Sequence, residues 1–125
     1  MPKAALTLVF SLLLTIVSFL SEAQNIQDFK HELDTTSSED RKAWIYGKIS
    51  RLYQYNNPDS AIYFGRKAVK FCVAINNESE MTVATNSLGG AFWVAGEYDS
   101  ALYYYNKMEV LSKKLEWDYG ISAAM

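Results

Sequence analysis

The sequence predicts an all-α protein, with paired helices stacked as hairpins into a solenoid behind an apolar N-terminal leader. Three observations predict it. Beyond Gln24, apolar residues recur at intervals of three and four, as one buried face of a helix requires. Helix-cap residues punctuate these rows. One row also repeats another at a distance of forty residues.

The leader comes first in the chain. "MPK" carries a positive charge, and "AALTLVFSLLLTIVSFL" then runs without one. "SEAQ" follows, with Ser21 and Ala23 as small residues flanking one position. This is the order of a secretory signal peptide, residues 1–23, with the cut after Ala23. The rival reading is an uncleaved membrane anchor. Against it, the apolar run falls short of the roughly 20 residues that span a bilayer, and Thr7, Ser11, Thr15 and Ser18 dilute it. No Cys lies near the cut, so lipid attachment is not expected there. Residues 24–38 read as a linker with a short helix near 25–33.

Four helical segments follow, at roughly 39–55, 58–75, 79–95 and 98–115, and a fifth starts at 118. Ala61, Phe64, Ala68, Phe71, Cys72 and Ile75 form one apolar row. Met81, Ala84, Leu88, Ala91, Phe92 and Ala95 form the next, and Ala101, Tyr104, Tyr105, Met108, Leu111 and Leu115 the last. Ser37, with Asp40 three residues on, reads as a loose capping box. Asn57 reads as a cap with Pro58 at the first helical position, where its missing N–H costs nothing. Gly96 suits a left-handed helix end.

"DSAIYFGRKAVKF" at 59 returns as "DSALYYYNKMEVL" at 99. Asp59, Ser60, Ala61, Tyr63 and Lys67 recur as Asp99, Ser100, Ala101, Tyr103 and Lys107. A fixed period of this size marks stacked helical hairpins. The expected organisation is a degenerate hairpin over 39–75, a well-formed one over 79–115, and the start of a truncated third over 118–125.

Leu88-Gly89, Phe92, Ala101 and Tyr105 fall at the spacings of a known signature, and Gly96, Tyr98 and Asp99 fit its inter-helix turn. On these residues the chain resembles the tetratricopeptide repeat (TPR) family. The resemblance covers about residues 40 to 125. Thr85 stands where a Trp is common, and Met108 replaces a small residue. In the earlier copy Ala61 and Leu52 fit, but Lys48-Ile49 replaces Leu-Gly and Gly65 replaces the second aromatic.

The resemblance implies a TPR-like solenoid. Gly89 and Ala101 would be small because two helices cross closely there. Phe92, Tyr98, Tyr104 and Tyr105 would fill the wedge beside the crossing, each ring burying about 150–250 Å². The inner face of each first helix would line a concave groove. Here that face is Asn86, Gly90 and Trp93, with Tyr46, Ser50 and Tyr53 as counterparts forty residues earlier. Trp44 and Trp117 read as packing residues.

With 12 Lys and Arg against 14 Asp and Glu, nothing in the charge points to nucleic acid or an anionic membrane. Contact with a membrane is expected only through the leader or a downstream segment. His31 is the single histidine and has no Cys beside it, and no phosphate-loop, dinucleotide or hydrolase motif occurs. No metal, cofactor or catalytic group is therefore expected. Lone Cys72 reads as a small buried hydrophobe.

The leading expectation is an exported protein- or peptide-binding module, periplasmic or membrane-associated, forming the sensory or scaffold part of a longer chain. The resemblance extends to bacterial signalling proteins whose repeats precede a membrane helix and a histidine kinase or DNA-binding output domain. A fragment of such a kinase or regulator is the alternative. A third reading is a signal-anchored repeat protein of the envelope.

Overall fold

The computed structural model describes residues 2–124, with side chains as far as Glu116. All its regular elements are helices, and they fall into two units, divided after Thr35.

The first unit is one helix, α1, Lys3–Thr35. Its apolar stretch carries exposed Leu, Val, Phe and Ile side chains, among them Leu8, Val17 and Phe19. It is long and apolar enough to cross a membrane. Sequence reading places a linker from 24 with a short helix inside it; the helix instead continues to Thr35 without a break. Residues 21–35 hold neither Gly nor Pro to stop it. Gln24 also donates to the Asp28 carboxylate at 3.1 Å, a supporting pair four residues apart.

The second unit holds α2 (Glu39–Tyr53), α3 (Pro58–Ala74), α4 (Glu78–Val94) and α5 (Tyr98–Ala124). The starts of α2, α3 and α4 each have a polar cap. The Ser38 hydroxyl, one residue beyond the expected Ser37, accepts from the Arg41 N–H at 3.2 Å. Asn57 and Asn77 carboxamides accept from the N–H groups of Ser60 and Glu80 at 3.2 and 3.0 Å. Each satisfies one of the donors a helix start leaves bare. Glu39, Asp40, Glu78 and Glu80 add negative charge at these ends, where the helix dipole favours it.

The ends of α3 and α4 share one device. Asn76 (φ 53°) and Gly96 (φ 81°) take the left-handed conformation. The Asn77 N–H then reaches the Cys72 carbonyl at 3.1 Å, and the Glu97 N–H reaches the Phe92 carbonyl at 2.9 Å. These are paired Schellman closures, and they turn the chain sharply into the next helix.

α2 packs on α3 and α4 on α5, giving two hairpins. α3 and α2 both meet α4, so the second hairpin stacks on the first. One core cluster joins Ala61 and Ile62 to Leu88, Ala91, Phe92 and Ala101. The other joins Ala43, Ala68, Cys72 and Ala84. The repetition expected from sequence is visible in the rings. Tyr53 stacks on Phe64 (5.8 Å) in the first hairpin, and Phe92 on Tyr104 (5.5 Å) in the second. Tyr63 and Tyr103 each meet the following ring edge-on, at 5.1 and 5.0 Å.

Sequence reading also expects a new segment to start at 118. α5 passes that position unbroken, because "KKLEW" at 113–117 offers good helix formers and no stop. The side chains of 118–125, which would define a third hairpin, and that of Trp117 lie outside the described residues.

Cys72 is buried in the second cluster. Burial pushes its thiol up to about 11, with the carboxylates of Glu80 and Asp40 adding to the effect. The neutral thiol is the form the fold accommodates. Between an ordinary thiol value near 9 and about 11, the unfolded chain releases a proton that the folded chain keeps. Stability from this site is therefore complete below about pH 9 and falls as pH rises toward 11. At pH 8, Ellman's reagent should modify Cys72 only as fast as the domain opens; a burst on mixing would show an accessible thiolate instead.

Candidate functional site

α2 and α4 are the first helices of their hairpins and run in the same direction, side by side. A groove of about 130 Å³ lies between them. Ala43, Gly47 and Ala84 form its floor, and Trp44, Lys48, Arg51, Glu80 and Val83 line it. The Trp44 indole carries the Arg41 guanidinium 4.3 Å from its ring centre and the Lys48 ammonium at 5.1 Å.

The six residues expected on a concave face separate into two groups. Asn86 and Trp93 are exposed. Trp93 meets Tyr98 edge-on at 4.9 Å, and Tyr98 is itself exposed at the start of α5 instead of filling a wedge. Gly90 is buried beneath Gln54, whose amide nitrogen would lie 2.9 Å from an added Cβ.

The other three lie inside the first hairpin. Tyr46 stacks on Phe71 at 5.2 Å. Tyr53 stacks on Phe64. Ser50 is fully buried and donates its hydroxyl to the Ala61 carbonyl at 2.7 Å. These side chains therefore do not line the groove.

The cause is one residue in a turn. α3 and α5 start forty apart, but α2 and α4 start thirty-nine apart. The first hairpin's turn, Gln54–Asn57, is one residue longer than Ala95–Glu97. A one-residue slip rotates a helix face by about 100°. With the slip removed, Asn86, Gly90 and Trp93 correspond to Gly47, Arg51 and Gln54. Two of these line the groove, and the third covers Gly90.

The same correction moves the packing residues. Ile49 and Ser50, both fully buried, stand where the second hairpin has Leu88 and Gly89. Tyr53 stands where it has Phe92. Leu52, expected to pack, is only half-buried and outside both clusters, because Tyr53 fills that place. Leu88, Phe92, Ala61 and Ala101 are in the first cluster, with half-buried Tyr105 packed against it.

Sequence reasoning missed Gly47, Lys48 and Arg51 as groove residues, and Gln54 as the cover of Gly90. The signal that could have found them is the spacing of the caps, since Ser38 and Asn77 are thirty-nine apart.

Two helical hairpins stacked in register, with their first helices side by side around a groove, define a domain of the tetratricopeptide class. The chain matches the family model described as the SusR N-terminal TPR domain over residues 21–119, and it belongs to that family. No curated protein and no solved structure matches it.

Proposed function

We propose that this chain is a protein- or peptide-binding module held outside the cytoplasm of a bacterium. It works by binding, without turnover of its own, and serves as the sensory or scaffold part of a larger assembly. One observation carries this reading: the groove between α2 and α4 is a crevice floored by small residues and bordered by two cations and Glu80, on the helices that bring the two hairpins side by side. Such surfaces are what stacked helical repeats offer to partners.

Export is supported by the apolar, solvent-facing first part of α1 near the N-terminus. The family match begins at residue 21, so the apolar run lies outside the repeat domain. In this reading residues 1–23 are a signal sequence removed after Ala23. N-terminal sequencing of the chain recovered from the cell envelope should return Gln24; Met1 would establish a retained anchor.

The binding role is tested by a photo-crosslinking residue placed at Val83 on the groove wall and, separately, at Tyr63 on α3. Adducts formed in cells at Val83 and absent at Tyr63 are expected. Equal yields at both, or adducts at Tyr63 alone, would refute a groove-based role.

A further inference from the structure

Gly47 lies in the middle of α2, where glycine costs helix stability relative to alanine. Gly65, Gly89 and Gly90 have a packing reason: an added Cβ would come within 3.0 Å of a neighbouring atom. Gly47 has none. A Cβ there would meet nothing within 4 Å, although the residue is buried from solvent. It is the floor of the crevice, and its missing side chain is the open space.

The charges around that space are graded. Glu80 lines it in the first turn of α4. Lys48 and Arg51 lie further along, toward the end where Gly90 meets Gln54. Lys42 pairs with Glu39, Lys113 with Glu109 and Lys114 with Glu78. Among the described residues, neither Lys48 nor Arg51 has a carboxylate partner. From Glu80 to Gly90 the helix rises about 15 Å, the span of roughly four or five extended residues.

We propose, building on the binding role above, that the α2–α4 groove holds an extended acidic peptide. A small apolar side chain of that peptide sits over Gly47, and a carboxylate follows it toward Lys48 and Arg51. Charge complementarity selects this occupant. A basic peptide would meet two cations that have no carboxylate beside them, whereas a carboxylate pairs with both and avoids Glu80.

The test uses the full chain in detergent micelles, with the Trp44 indole N–H followed by NMR. Three capped hexapeptides serve as probes, alternating alanine with aspartate, asparagine or lysine. The aspartate probe should shift the Trp44 signal saturably and weaken as salt rises, with the other two at least tenfold weaker. Lys48→Gln and Arg51→Gln should each weaken the aspartate probe about tenfold, and Glu80→Gln should tighten it. Gly47→Leu should abolish the shift while the circular dichroism of the helices is kept.

Equal binding of the asparagine probe, unaffected by Lys48→Gln and Arg51→Gln, would overturn the acidic preference and leave the peptide-binding role standing. No shift with any probe would overturn the proposal, while the Val83 crosslinks judge the broader role independently.

Discussion

Phe92→Ala should lower the stability of the domain by about 3–5 kcal/mol, the largest loss expected from any single truncation here. Phe92 is 2% exposed and belongs to the cluster that joins the two hairpins. Its ring stacks on Tyr104 at 5.5 Å and only 6° from parallel, and the Arg66 guanidinium of α3 lies 5.4 Å from its centre. Truncation thus opens a cavity touching α3, α4 and α5 together, where collapse of one helix cannot fill it. For a unit of this size the melting temperature should fall by roughly 15 °C or more. Tyr53→Ala removes the corresponding ring of the first hairpin, but Tyr53 is half-buried and should cost less. Thermal unfolding of the two variants side by side is the measurement. A Phe92→Ala loss below about 1 kcal/mol would mean that the two hairpins do not share this core.

Most of the fold is legible in the sequence, and the reason is local. Asn57 and Gly96 act through their own neighbouring backbone groups, so their effect needs no tertiary knowledge. The apolar rows work in the same way. What fails is comparison between repeats. The second helices repeat at forty, and Asp59 with Asp99 makes that offset obvious. The first helices repeat at thirty-nine, and the first copy holds Ile49-Ser50 where Leu-Gly would have announced the register. Carrying forty across the turn therefore puts Tyr46, Ser50 and Tyr53 on the groove when they lie in the hairpin interior.

Gly47 is harder to foresee. A glycine kept for packing and a glycine facing empty space read alike in a sequence; only the atoms around a hypothetical Cβ separate them. The lengths of α1 and α5 are a different case. Sequence reading makes 24–38 a linker and ends a helix at 115, yet with no Gly or Pro over 21–35 and 113–117 nothing stops a helix already under way.

Gly89→Leu is the second large effect, and it isolates how the two hairpins solve one packing problem differently. An added Cβ at Gly89 would stand 3.0 Å from two ring carbons of Tyr105. The glycine therefore makes room for a ring, where sequence reading expects a bare helix crossing. In the first hairpin the places are filled by Ser50 and Gly65, and Leu88 from the next helix packs against the space beside Gly65. Bulk on one helix is thus matched by its absence on the other. Leucine at 89 must push Tyr105 into solvent or part α4 from α5, at a cost of about 1–3 kcal/mol. Tyr105→Ala alone loses part of a half-buried ring. Together the two changes should cost less than their sum by at least about 0.5 kcal/mol, because the leucine enters space the ring has left. Urea unfolding of both single variants and the double variant measures that coupling. Strict additivity would show that Gly89 and Tyr105 do not share the space, and that the glycine is small for another reason.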